Sequence, residues 1–288
     1  MRRWTRRLVR IVVGVYLLLC TIVYFAQDWL AFPGATQQGT EQTRIQYGGS
    51  AEVLHLTTSD GTPIAAVFGL AKKPDGSPYT PADHRPTILY FYGNAGAIAW
   101  SQGEFDHFRA IGCNVLIPDL AGFGQSGGKA SEKSFYATAD AAWDYLQHRL
   151  DIDPQRIITV GWSMGAAVAV DLAARKPVIG LATFNGFTSI REMAHKMLPF
   201  FPTILCKYRF ENERKIAEAH CPIFICNGRR DTLVPPEMSD RLAARAGGPV
   251  TRLVLDRADH NTVFSEEPEV LWPAMKAFVD KVAPTSGQ

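Results

Sequence analysis

A serine hydroxyl attacks an acyl carbon only when a neighbouring base takes its proton and donors receive the charge that grows on the carbonyl oxygen. Residues of these types recur in one order along this chain. Ser163 lies in Gly161-Trp162-Ser163-Met164-Gly165, directly after the apolar run Ile157–Trp162 and before Met164–Arg175, an Ala-rich helix former. A sharp strand-to-helix turn of this kind lifts Oγ clear of a sheet, and glycines flank it because side chains there collide with neighbouring backbone. Gly124-Gln125-Ser126-Gly127-Gly128 has the same spacing. No helix starts beside it, so Ser126 is expected to be a loop serine. Gly122, Gly124 and Gly127 also match a dinucleotide fingerprint, but the strand that follows carries no acid to hold a ribose. A nicotinamide cofactor is therefore not expected.

The base and its orienting acid should follow the serine in the order acid, then histidine. Of seven histidines, His195, His220 and His260 come after Ser163. His260 sits between the β-like run 252–256 and the final helical pattern, where strand ends place reacting groups. Asp231 follows the run 222–228 and is the expected acid that holds and stabilises an imidazolium. Asp259 is adjacent to His260 and poorly directed toward its ring; Asp256 is a weaker rival. The oxyanion donors are expected to be the Met164 N–H and an N–H from the turn Gly93-Asn94-Ala95-Gly96, that of Asn94 or, alternatively, Ala95. These residues imply no metal and no organic cofactor.

Elements that must hold these groups follow from the hydropathy pattern. Short apolar runs at 88–92, 114–119, 157–162, 181–185, 222–228 and 252–256 read as strands. Residues 52–58 and 63–69 read as an antiparallel hairpin about the turn 59–62. Helical patterns cover 131–148, 164–175, 236–245 and 268–282. Nearly all-apolar strands alternating with helices indicate an α/β fold, a mostly parallel twisted sheet covered on both faces, with ligands at the strands' carboxyl ends. Residues 187–221 interrupt the alternation. They include Met-Leu-Pro-Phe-Phe-Pro-Thr-Ile-Leu-Cys, too apolar for a surface loop, and read as a small helical cap that lines an acyl site.

The N-terminus reads differently. The first ten residues hold five arginines and no acid; subtracting them from the net charge of +2 leaves −3 for the rest. A mildly acidic body argues against nucleic-acid binding. Residues 11–25 carry no charge. With their apolar flanks they give about 27 Å of helix, a minimal bilayer span. The exit lacks a small-residue cleavage site, so an uncleaved anchor is expected over 11–30, after a basic cytoplasmic leader at 1–10. The domain at 31–288 then lies on the outer side. The five cysteines show no metal-type pairing; buried free thiols are expected, with Cys206–Cys221 the pairing open to a disulfide.

Together these segments resemble the α/β-hydrolase superfamily, and within it the single-span, membrane-anchored branch of lysophospholipid hydrolases and protein depalmitoylases. The likeness lies in Gly161–Gly165, the Gly-Arg-Arg-Asp-Thr-Leu-Val-Pro turn, the Ala-Asp-His triplet ending at His260, the exit from Gln27 to Pro33, the Asn-Ala-Gly turn, the loop from Asp119 to Ser126 and the Phe-Thr-Ser-Ile run at 187–190. Two positions depart from that pattern: Tyr92 stands where histidine is usual, and Ala121 where arginine is usual. Both are expected to alter loop packing beside the oxyanion turn. The resemblance implies a serine hydrolase acting on carboxylic ester or thioester bonds of small-molecule or lipid-like substrates. Alternatives are peptide hydrolysis or acyl transfer on the same residues, or a non-catalytic membrane-anchored scaffold.

Overall fold

In the computed structural model, residues 2–48 and 50–284 are described. Eight strands form one sheet in the order β1-β2-β4-β3-β5-β6-β7-β8. Strands β1 (Ala51–Thr57) and β2 (Pro63–Gly69) make the expected hairpin, and β2 also runs antiparallel to β4 (Asn114–Pro118). Strands β3 (Thr87–Phe91), β4, β5 (Ile157–Trp162), β6 (Gly180–Phe184), β7 (Ile223–Gly228) and β8 (Val250–Leu255) run parallel. Every residue of β3, β4 and β6 is buried, which requires cover on both faces and explains why these strands are apolar runs rather than alternating ones.

The cover comes from α2 (Gln102–Ala110), α3 (Glu132–His148), α4 (Met164–Arg175), α7 (Pro236–Arg245) and α8 (Pro268–Val282). Ser131 caps α3 by accepting from the Ser134 N–H, so the expected start at 131 is the cap and not the first helical residue. Helix α4 is buried from Met164 to Ala173; its alanines and Gly165 let it lie close against β3, β5 and β6. Strands β2 and β5 have the expected limits, and the others differ by one or two residues. Helix α2 was not expected. It has nine residues, contains Gly103, and buries only Phe105, Phe108 and Arg109, too brief a stripe to register as periodic.

Between β6 and β7 lie α5 (Ile190–Met197), a 3-10 turn at Thr203–Leu205, α6 (Asn212–Lys215) and a second 3-10 turn at Ile216–Glu218. Lys215 Nζ of this segment bonds Asp171 of α4 at 2.5 Å, with both side chains largely covered.

Helix α1 runs from Arg2 to Ala31, about 45 Å at the usual rise, so it extends in both directions beyond the apolar run. Its stretch Arg3–Ala31 is long and apolar enough to cross a membrane, and only 6% of its apolar window is buried, unlike a core helix. Phe32, at its exit, is the opposite. It is 1% exposed and packs edge-on against Phe135 and Tyr208. All five cysteines are free thiols, so Cys206 and Cys221 are not joined. Burial pushes the Cys221 thiol up to about 11 and Cys113 and Cys226 up to about 12.

Candidate active site at the carboxyl ends of the strands

Ser163 stands between β5 and α4 with φ +53° and ψ −114°, a backbone that L side chains rarely adopt. Its N–H bonds the Phe184 carbonyl at 2.9 Å, and its carbonyl takes the Ala166 N–H at 3.0 Å, so strand and helix together hold the turn. The flanking glycines are sterically required. A Cβ on Gly165 would lie 1.9 Å from the Phe91 carbonyl oxygen, and one on Gly161 would lie 2.1 Å from the Gly165 oxygen.

His260 Nε2 lies 2.9 Å from Ser163 Oγ, and His260 Nδ1 lies 2.7 Å from Asp231 Oδ2. All three residues are buried. Asp231 Oδ1 accepts from the Leu233 and Val234 N–H groups at 2.9 and 2.8 Å. With Oδ1 occupied by donors, Oδ2 is left to accept from Nδ1–H. Nε2 is then the free acceptor facing the serine hydroxyl, which is the tautomer a general base needs.

The rival residues have other partners. Asp259 accepts from the Asn261 and Thr262 N–H groups at 2.8 and 2.9 Å, closing the turn after His260. Asp256 pairs with Arg229 at 2.7 Å on the surface. His195 and His220 are exposed. Ser126 is buried, donates to the Asp119 carbonyl at 2.7 Å and accepts from the Ala65 N–H at 3.0 Å; it clamps the Gly-rich loop to β2.

Two residues hold the His260 backbone in place, neither of them expected to. The Asn185 amide donates to the His260 carbonyl at 3.0 Å while its oxygen accepts from the Gly228 N–H at 3.0 Å; the residue is fully buried with φ +48°. Trp162 Nε1 donates to the same carbonyl at 3.1 Å, and its ring packs on the imidazole, centroids 5.8 Å apart. The available signal was an asparagine ending a strand, a type that tolerates positive φ.

Ser163, Met164 and Asn94 line one cavity of about 400 Å³, a volume within the usual range for small-molecule sites. Asn94 reaches this wall, whereas Ala95 does not; Ala95 instead carries a strained φ of +64° in the same turn. The Asn94 side chain is engaged elsewhere, donating to the Ala31 carbonyl at 2.7 Å. Met193, Met197, Phe201 and Leu233 supply apolar walls. A larger, more open hollow of about 880 Å³ between β1 and α3 shares no residue with this cavity.

Beneath the turn 93–96, the Asp119 carboxylate accepts from the Tyr92 hydroxyl and the Ile98 N–H at 2.8 Å each, and from the Gln125 N–H at 2.7 Å. Burial pushes its pKa up to about 6 against these three hydrogen bonds. Among the described residues no cluster of three or more histidine, cysteine or acidic side chains is arranged to hold a metal.

A sharp strand-to-helix turn carrying Ser163 at the carboxyl end of a central parallel strand, with Asp231 and His260 beyond the ends of β7 and β8, is the arrangement of a known class. The chain belongs to the α/β-hydrolase family. The family model described as the alpha/beta hydrolase fold matches residues 86–215. Alpha/beta hydrolase domain-containing protein 17B of Xenopus tropicalis is 34% identical over 213 residues, 74% of this chain and 70% of that one. An uncharacterized protein of Mycobacterium tuberculosis is 32% identical over 207 residues, covering 72% of this chain and 74% of its own. In fold, the chain is similar to an esterase of Pyrococcus furiosus, with a TM-score of 0.67 and 19% identity over 83% of this chain and 96% of that one.

Proposed function

We propose that this protein is a membrane-anchored serine hydrolase that cleaves carboxylic ester or thioester bonds in acyl, lipid-like substrates. The observation that carries the reading is the unbroken relay Asp231–His260–Ser163, with contacts of 2.7 and 2.9 Å, opening on an apolar cavity. Ser163 Oγ attacks the carbonyl carbon as His260 Nε2 takes its proton. Asp231 holds the ring and stabilises its positive charge. The oxyanion is received by the Met164 and Asn94 N–H groups. Collapse of the intermediate expels the alcohol or thiol, which takes the proton from His260, and leaves an acyl-Ser163 ester. Water, deprotonated by His260, then releases the acid and restores the serine.

An N-terminal helix long and apolar enough to cross a membrane, and largely unburied, supports the membrane part of the reading. Residues 1–10 form a basic leader retained in the cytoplasm, 11–30 the anchor, and 31–288 the hydrolase domain on the outer side, with 187–221 as its cap. The test is release of p-nitrophenol from esters of acetate to palmitate by detergent-solubilised wild type and Ser163→Ala. Loss of several orders of magnitude in the variant is expected. Equal inertness of both, with no reaction at Ser163 toward a fluorophosphonate, would leave a non-catalytic scaffold as the better description. Strong peptide turnover or transesterification beside weak ester hydrolysis would shift the reaction class on the same residues.

A further inference from the structure

A helix that only tethers a domain needs length and apolarity. The C-terminal turns of α1 carry more than that. Val23, Gln27, Leu30 and Ala31 line the cavity over Ser163. Their spacing of three and four residues puts them on one stripe of the helix. Gln27 on this stripe is 8% exposed, against 74% for Phe25 and 68% for Trp29 beside it. Its amide donates to the Leu205 carbonyl at 3.0 Å and its oxygen accepts from the Lys207 N–H at 2.7 Å. A buried amide satisfied at both ends by backbone of one partner fixes register as well as proximity. Asp28 adds bonds from the Tyr208 hydroxyl at 2.9 Å and the Lys207 ammonium at 3.1 Å. Ala31 receives the Asn94 amide, which ties the end of the helix to the turn beside Ser163.

The opposite wall is α5 and the chain after it, with Met193, Met197, Leu198 and Phe201. Exposed apolar side chains continue outward from it: Met197, Phe200, Ile204 and Leu205. Leu205 lies against Gln27, so these residues run into the exposed apolar surface of α1. Exposed apolar side chains beside an exposed apolar helix suit a bilayer surface and not bulk water.

We propose that the C-terminal turns of α1 form one wall of the acyl-chain subsite and set its chain-length selectivity. The acyl chain reaches Ser163 laterally, through the seam between α1 and the segment joining β6 to β7, from the bilayer that α1 spans. This rests on the hydrolase and anchor reading above. The step from that reading is that the anchor is part of the specificity machinery.

The experiment uses full-length protein in phosphatidylcholine vesicles and the ratio of kcat/KM for p-nitrophenyl palmitate to that for p-nitrophenyl acetate. Leu30→Trp fills the subsite and should lower the ratio about tenfold or more, the scale on which hydrophobic pockets discriminate single methylene groups. Leu30→Ala should move the chain-length optimum the other way. A folding defect does not shift selectivity in opposite directions. Val12→Trp, exposed on α1 and outside the cavity, should leave the ratio at the wild-type value. Palmitate ester placed in the enzyme's own vesicles should turn over at least tenfold faster than the same ester in separate vesicles. An active enzyme whose ratio is unmoved by both Leu30 variants, or moved equally by Val12→Trp, overturns the subsite. Equal rates from the two vesicle populations overturn the lateral route. A wild type inert to both esters and to fluorophosphonate sinks the parent reading and this one with it.

Discussion

Asp231→Asn separates the orientation of the histidine from its mere presence. The carboxylate is held at both oxygens, with Oδ1 accepting from the Leu233 and Val234 N–H groups and Oδ2 facing His260 Nδ1. An asparagine amide has one acceptor and one donor end. Two backbone donors fix its oxygen at the Oδ1 position, because the opposite placement sets NH₂ against both N–H groups at a cost of about 1–3 kcal/mol per unsatisfied buried group. The NH₂ then points at Nδ1, which must accept, so Nε2 carries the proton. A protonated neutral Nε2 at 2.9 Å from Ser163 Oγ donates to the hydroxyl and no longer removes its proton. Loss of the correct tautomer costs roughly 10³–10⁴ in kcat, or about 4–5 kcal/mol at 1.36 kcal/mol per decade. Stability should change little, since both backbone donors keep their acceptor. Asp231→Ala strands both donors and should unfold at lower denaturant. The assay is kcat on p-nitrophenyl butyrate at neutral pH beside denaturant melts of the same preparations. An Asn variant within tenfold of wild type would refute the argument, as would an Asn variant destabilised as much as the Ala variant.

Three further outcomes are expected. Ser163→Gly and Ser163→Ala should both be inactive, but the glycine variant should be more stable by about 1 kcal/mol: relief of φ +53° returns about 1–2 kcal/mol, less the extra entropy of an unfolded glycine. Equal denaturant midpoints would contradict the strain at this turn. Asp119 has a folded pKa of about 6, above that of an unfolded aspartate, so its contribution to stability is fully present near pH 4 and falls as pH rises to about 6, by on the order of 3 kcal/mol. Asp119→Asn lacks this step, and the stability gap between wild type and variant should narrow between pH 4 and 6; a gap independent of pH would argue against a raised pKa. Gly34→Ala would place Cβ 2.7 Å from Ala95 Cα and 2.9 Å from its nitrogen, pushing on the oxyanion turn. A displacement of that turn approaching 1 Å costs about a hundredfold in rate, and kcat should fall by tenfold to a hundredfold on acetate and palmitate esters alike. Unchanged kcat would mean the turn tolerates the displacement.

Most of the sheet and the turn at Ser163 were legible because their signals are local, whereas the meeting of Ser163 with His260 and Asp231 was read from chain order. The apolar runs of β3 to β8 lie within a residue or two of their observed limits; β3, β4, β6 and β7 are buried throughout, and the edge strand β8 is partly exposed. The glycines of the Ser163 turn are required by contacts within a few residues and with one neighbouring strand, so the spacing alone points to the turn. His260 and Asp231 were found by their order and by their place after strand-like runs. What escaped is non-local. Asn185 and Trp162 act on a carbonyl 75 and 98 residues away, and Gln27 acts on backbone 178 and 180 residues away. Gln27 and Trp162 stand within segments already singled out, but a side-chain donor meeting a distant main-chain group leaves no trace of that partner in the sequence. The same holds for Asn94, whose N–H was anticipated at the site while its side chain is spent on Ala31.

The two departures from the family pattern are explained by the same network. Tyr92 is 1% exposed; its hydroxyl donates to Asp119 Oδ1 and accepts from the Leu120 N–H at 3.1 Å. It therefore joins the end of β3, where the oxyanion turn begins, to the end of β4, where the Gly-rich loop begins. Burial, and then the neighbouring Asp119 carboxylate, drive the Tyr92 hydroxyl well above its ordinary pKa, which favours its neutral, donating form. Ala121 is buried at 1% exposure, and its N–H bonds Thr138 Oγ1 of α3 at 3.1 Å. A guanidinium there would have to be taken into the packed core or displace α3. Asp119 already receives three donors from this chain's own groups, so its oxygens are satisfied without a cationic side chain. Tyrosine at 92 and alanine at 121 are thus parts of one arrangement, in which a phenolic bridge and backbone N–H groups hold a buried carboxylate under the turn that faces Ser163.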